Sequence, residues 1–238
     1  MISILILTYN EEANLSQCLQ SVAFSDDIVV LDSGSTDATL QIAQTNGATL
    51  LTREFDNYAA QRNYGLAQNF KNDWILILDA DERASKELIK EISMAIAKAN
   101  EKYTLYRVRR KDYFMGRWLK RSSGYPTWFG RLCRRGRVRV VRDINEEYHT
   151  DGEVGMVQEH LLHFPFNKGI DHWFERHNRY SSMEANRLAD ERMNPVPWSG
   201  FVSHDPAVRR KAFKSFAYRL PFRPLLTFIY LYLLRLGI

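Results

Sequence analysis

The sequence predicts an α/β protein built on a doubly wound, mainly parallel sheet, and three observations lead there. Residues 74–78, Trp-Ile-Leu-Ile-Leu, are apolar without alternation, the pattern of a strand covered on both faces. Comparable short apolar runs precede it at 2–7, 28–31 and 48–51. The segments between them carry apolar residues at helical spacing, so strands and helices alternate, as parallel strands with crossover helices require.

The first strand spans 2–7, and Glu11 to Phe24 follows as a helix. Leu15, Cys18, Leu19 and Val22 fall at i, i+3, i+4 and i+7 and make one buried face. Residues 28–31 form the second strand, with Asp32-Ser-Gly-Ser-Thr-Asp37 as its exit loop. Asp37 is placed to cap a second helix that Gly47 ends, ahead of the short strand 48–51. Residues 57–69 read as a third helix leading into 74–78. Ser85 caps a fourth, which turns Leu88, Ile92, Ala95, Ile96 and Ala99 inward.

From Tyr103 the period falls to two. Residues 103–109 and 137–141 suggest antiparallel or edge strands, separated by a loop at 113–131 rich in Arg, Gly and aromatics. Residues 168–193 read as an amphipathic helix halted by Asn194-Pro195. The chain therefore divides at about 100 and 195 into two halves of one domain and a C-terminal segment, 196–238.

The net charge of +5 conceals a strong asymmetry. Residues 1–100 hold 7 Lys/Arg against 14 Asp/Glu, and 101–142 hold 14 against 2. The acidic head suits a metal and a diphosphate, while the basic blocks at 101–142 and 205–238 suit an anionic acceptor, a membrane surface or nucleic acid. Cys18 and Cys133 fit no disulfide or metal spacing, which points to a reducing cytoplasm. The N-terminal run is too short and lacks the basic flank of a signal peptide. Residues 225–234 are apolar all round but far short of the roughly 20 residues needed to span a bilayer. With Arg209, Arg210, Lys211, Lys214, Arg219 and Arg223 before them, they describe an interfacial segment on an anionic leaflet.

Asp79 and Asp81 end the 74–78 strand at the carboxyl edge, where open α/β sheets bind ligands. Two hard oxygen ligands there suit Mg²⁺ or Mn²⁺ shared with phosphate oxygens. The turn after the first strand, Thr8-Tyr9-Asn10-Glu11-Glu12, has no glycine, which excludes a dinucleotide-type pyrophosphate cradle. Tyr9 offers a face for a base to stack on, and Asp32 can accept hydrogen bonds from a base edge.

The segments Leu7-Thr-Tyr-Asn-Glu-Glu12, Val29-Val-Leu-Asp-Ser-Gly-Ser-Thr-Asp-Ala-Thr39, Gln61-Arg-Asn-Tyr-Gly-Leu66 and Trp74-Ile-Leu-Ile-Leu-Asp-Ala-Asp-Glu82 resemble family 2 glycosyltransferases of the GT-A, Rossmann-like fold. The branch most similar is the lipopolysaccharide-core β-1,4-glucosyltransferase type, which shares the Tyr125–Leu132 stretch. The resemblance implies an inverting transfer from a nucleotide-diphospho-sugar to a glycan or glycolipid at the inner face of the cytoplasmic membrane. It implies that Thr8, Tyr9, Glu11, Asp32, Arg62 and Asp79 bind the donor and that Asp81, with Asp79, holds the metal. The base follows the 137–141 strand. In this branch it is often preceded by histidine, but Asn145 stands there, so Glu146 aligns with the base and Glu147 is the alternative. The arginines and aromatics at 107–139 are expected to hold a phosphorylated or acidic acceptor, with Trp118, Tyr125 and Trp128 stacking on sugar faces and Arg131 foremost among the cations.

A polyprenyl-phosphate sugar transferase of the same fold is the second enzyme reading. A basic module for lipid or nucleic acid is the reading from another class. It leaves the carboxylates unexplained, and no nucleic-acid motif is present. His160, His163, His172 and His177 read as structural.

Overall fold

The computed structural model describes residues 1–121, 125–141, 147–193, 195–202 and 206–234 and divides the chain into two compact units, Met1–Lys168 and Gly169–Ile238. In the first unit, β1 (Ser3–Thr8), α1 (Leu15–Ser21), β2 (Ile28–Asp32), α2 (Thr39–Thr45), β3 (Thr49–Thr52), α3 (Tyr58–Leu66) and β4 (Trp74–Asp79) alternate as expected. They are followed by β5 (Glu82–Ala84), α4 (Lys86–Lys98), β6 (Tyr103–Phe114), β7 (Arg117–Trp118), β8 (Trp128–Arg134), β9 (Val138–Val141), β10 (Glu147–Thr150) and β11 (Glu153–His163).

The main sheet runs β3-β2-β1-β4-β8-β6-β11-β5, with β7 appended to β6, and β9 and β10 form a separate hairpin. The first four strands are parallel. The apolar run in β4 has the predicted cause: Ile75, Leu76, Ile77 and Leu78 are wholly buried. Leu76 and Leu78 pack with Ile4 and Ile6 in one core that takes in Leu15 of α1 and Leu88 of α4. Ile75 and Ile77 pack with Leu5 and Leu31 in the other, under Ala59 and Leu66 of α3. Each such side chain contributes about 1.5–3 kcal/mol on burial, so the strand ends bearing the candidate site rest on a rigid floor.

Ser85 caps α4 as predicted, its hydroxyl accepting from the Leu88 N–H at 3.1 Å. Other expectations shift. The first helix begins at Leu15 rather than Glu11, because Asn10 lies in the left-handed region (φ 51°) and the Glu11 N–H donates to Thr39 Oγ1 at 2.8 Å. Of the two alternatives for residues 103–109 and 137–141 the antiparallel one holds, β6 against β8 and β9 against β10, and β6 is an interior strand that also runs parallel to β11. Its polar alternation at Arg107, Arg109 and Lys111 leaves one face charged, which reads as an edge in sequence. The expected loop 113–131 contains β7 and the start of β8.

The second unit holds α5 (Ile170–Met193), a 3₁₀ turn at Trp198–Val202, α6 (Pro206–Ala217), α7 (Arg223–Ile229) and a π turn at Tyr230–Leu234. No helix among the described residues is long and apolar enough to cross a membrane.

Candidate active site

The parallel strands deliver Thr8, Asp32 and Asp79 to one carboxyl edge, where the register aligns Thr8 with Asp32 and Leu7 with Asp79. Thr8 is buried, and Tyr9 just beyond it is 52 % exposed, its ring open to a ligand. The two exit loops are laced together: the Asn10 N–H donates to Ser35 Oγ at 2.7 Å, and the Asn10 side-chain oxygen accepts from the Thr36 N–H at 2.8 Å. Asp32 is wholly buried and accepts from the N–H groups of Gly34 (2.8 Å) and Ser35 (2.7 Å) and from the Ser35 hydroxyl. These bonds shape the second loop, where Gly34 at φ 91° supplies a conformation L side chains rarely adopt. Glu11 lies buried beneath, receiving Asn14 Nδ2 at 2.8 Å and Lys168 Nζ at 2.9 Å. Burial, and then the nearby Asp81, raise its pKa.

From Arg62 to Asp81 runs a chain of eight charged side chains of alternating sign. Arg62 on α3 donates to Asp79 Oδ1 at 3.0 Å, and Arg131 on β8 donates to Asp79 Oδ2 at 2.8 Å and to Glu82 at 2.7 Å. Arg110 lies 3.6 Å from Glu82 and 3.1 Å from Asp112. Asp112 in turn lies 2.6 Å from His163 Nδ1, and His163 Nε2 lies 3.2 Å from Asp81 Oδ2. Burial alone would raise the Asp79 pKa, but Arg62 and Arg131 outweigh it and hold the carboxyl well below its ordinary range. Burial would strip His163 of its proton, yet Asp81 and Asp112 hold it, and the pKa rises to about 9. Burial likewise opposes charge on Arg131, and Glu82 and Asp79 more than compensate.

The expected metal pair separates. Both oxygens of Asp79 are engaged by arginines, so it lends itself to orienting Arg62 and Arg131 rather than to ligation. Asp81 stands with His163 instead, whose protonated ring pairs with that carboxylate and would have to give up its proton before Nε2 could ligate a cation. No cluster of three or more His, Cys, Asp or Glu side chains suited to a metal exists among the described residues. The carboxylate of Asp81 is the kind of hard oxygen donor that Mn²⁺ or Mg²⁺ would take together with phosphate oxygens.

The expected acceptor residues also divide. Arg131 is 3 % exposed and turned onto Asp79 and Glu82 by a register shift in the β6–β8 pairing. Trp128 carries Arg109 over its ring at 5.2 Å, and the Tyr125 hydroxyl lies 2.8 Å from His160 Nε2. Glu146 falls outside the described residues. Glu147 opens β10, paired with Val141 and about half exposed. Sequence reasoning missed Glu82, Arg110, Asp112, His163 and Lys168 as parts of the site. Glu82 directly follows the carboxylate pair and could have been noticed, whereas nothing local marks the others.

The chain is 30 % identical over 205 residues to the lipopolysaccharide core biosynthesis glycosyltransferase LpsC of Rhizobium meliloti, covering 82 % of this chain and 74 % of that protein. It is 28 % identical over 202 residues to an uncharacterized glycosyltransferase of Rickettsia typhi, covering 80 % and 68 %. A solved structure, glucosyl-3-phosphoglycerate synthase of Mycobacterium tuberculosis with Mg²⁺ and UDP, aligns with TM-score 0.41 and 19 % identity; the match covers 57 % of this chain and just over half (56 %) of that one. Residues 3–159 match glycosyl transferase family 2, and with this match and the LpsC similarity the chain belongs to that family.

Proposed function

We propose that this glycosyltransferase inverts configuration as it moves a hexose from a nucleoside diphosphate, uridine diphosphate foremost, to a cell-envelope glycan or glycolipid such as lipopolysaccharide core. One observation carries the reading: the charged chain just described links Arg62, Asp79 and Asp81 at the carboxyl edge of the parallel strands, where exposed Tyr9 directly follows β1. The name of the similar LpsC supports the acceptor class.

Tyr9 stacks on the base, while Thr8, Glu11 and Asp32 shape the loops around the nucleoside. Arg62, oriented by Asp79, faces the diphosphate. A divalent cation, Mn²⁺ or Mg²⁺, would be held by Asp81, displacing the His163 proton that this carboxylate now holds, and would neutralise charge on the departing diphosphate. Tyr125 and Trp128 present aromatic faces to the acceptor. The acceptor hydroxyl oxygen attacks the anomeric carbon from the side opposite the diphosphate. Its proton passes to Glu146, or to Glu147, as the bond from carbon to diphosphate oxygen breaks and the diphosphate leaves with the electron pair. Screening UDP-, GDP- and dTDP-sugars for acceptor-dependent turnover, with Mn²⁺ and with chelator, tests the reading. Absence of turnover with every donor on truncated core acceptors would overturn it.

The second unit supports peripheral contact with the anionic inner leaflet. Leu225, Leu226, Phe228 and Leu233 are exposed beside the basic run at 209–223. Flotation with phosphatidylglycerol vesicles is expected to retain the full chain and to release a form trimmed of 220–238. Equal retention of both forms would refute the contact.

A further inference from the structure

We propose that Lys111, Trp118 and Lys120 form a binding site for a sugar bearing a carboxylate or a phosphate monoester, and that the acceptor is of this anionic class. The inference rests on the transferase reading above and adds the acceptor's chemistry.

Side chains alternate along β6. Arg110 and Asp112 turn toward Glu82 and His163, so Arg109 and Lys111 turn the other way. There the Lys111 ammonium stands 4.5 Å from the centroid of the Trp118 ring, and the Lys120 ammonium stands 5.3 Å from the same ring. Trp118 meets Tyr125 edge-on at 5.1 Å, and Tyr125 joins His160 through its hydroxyl. Aromatic faces beside clustered cations are what a charged sugar needs: a surface for its C–H groups and a counter-charge for its anion.

The two lysines of this cluster have no carboxylate partner among the described residues. Several other cations of the unit do have a carboxylate partner: Arg110 with Asp112, Arg137 with Asp151, Lys102 with Glu153, Lys168 with Glu11. Among the described residues, no carboxylate lies within ion-pair distance of Lys111 or Lys120. A cation over an aromatic face gains only about 0.5–1 kcal/mol at an exposed site, and two ammonium groups on one ring repel each other. The Trp118 indole N–H is buried with no acceptor among the described residues, a donor that an anionic oxygen would satisfy. Burial, and then the charges of Lys111 and Arg109, lower the His160 pKa against the opposing pull of Glu159, 3.6 Å from the ring. The donor diphosphate does not account for the cluster, because its edge, at Arg62 and Asp81, has its own charges.

The test is a tryptophan-fluorescence titration of the full chain with glucuronic acid, glucose 6-phosphate and neutral methyl glucoside, using Trp118→Phe to identify the responding ring. Saturable change with one or both charged sugars and none with methyl glucoside is expected, and which of the two binds distinguishes carboxylate from phosphate. Lys111→Ala/Lys120→Ala should weaken that binding at least about tenfold while UDP affinity stays unchanged, which also reports that the variant is folded. Lys120→Ala alone, at an exposed position, should weaken it in the same direction. Equal binding of the neutral sugar, no response to either charged one, or full affinity in the double variant overturns the proposal. Loss of UDP binding together with charged-sugar binding in the folded double variant also overturns it and assigns the cluster to the donor. Failure of donor turnover with intact charged-sugar binding would count against the transferase reading instead.

Discussion

Arg131 lies 2.8 Å from Asp79, a residue 52 positions earlier in the chain, and the same guanidinium nitrogen reaches Glu82 at 2.7 Å. A cation 3 % exposed thus holds two carboxylates, one of them wholly buried, at the strand edge where the donor is proposed to bind. The pairing gives Arg131 a role inside the site rather than on an acceptor-facing surface.

Removing that cation leaves buried carboxylates uncompensated. Arg131→Ala is expected to cost about 3–5 kcal/mol, the range for breaking one side of a buried ion pair. Urea unfolding would show this as a lower midpoint at unchanged slope. Arg131→Lys keeps the charge but loses the planar fork and should fall between the two. An Ala variant as stable as the parent would mean that solvent already screens the network.

Asp81→Asn removes the carboxylate beside His163. Calorimetric titration with UDP is expected to lose its Mn²⁺-dependent part, with turnover abolished. Retention of both would contradict the assignment of Asp81 to the cation.

The base is expected to reveal itself by rate rather than by affinity. Glu146→Gln should lose at least about a hundredfold in turnover with donor affinity preserved, and Glu147→Gln much less. If Glu147→Gln is the damaging change, the base lies at the first residue of β10, one position later in the chain.

Gly65, inside α3, lies against the core where a Cβ would stand 2.6 Å from Leu5 Cδ2 and 3.3 Å from Leu31 Cδ2. Helix propensity favours alanine there by about 1 kcal/mol, but overpacking costs about 1–3 kcal/mol, and the steric term should win. Thermal melting of Gly65→Ala is expected to show net destabilisation. A raised midpoint would mean that β1 and β2 yield without strain.

The order of strands and helices through residue 100 was legible because its signals are local. Apolar periods of 3.6 and of none, the Ser85 cap and the Gly47 stop all act within a few residues. The carboxyl-edge positions of Tyr9, Asp32, Asp79 and Asp81 follow from strand ends and were legible too. Partner choice was not. His163 meets Asp81 across 82 positions, on a strand whose pairing with β6 is broken by a register shift between Val157 and His160. Arg131 likewise reaches Asp79 only because of the shift beside Arg107. Hydrophobic periodicity determines which residues face the core, since burial depends on spacing along one element. Which charges meet depends on how strands from distant parts of the chain align, and a bulge of one or two residues shifts that alignment without leaving any trace in composition or period.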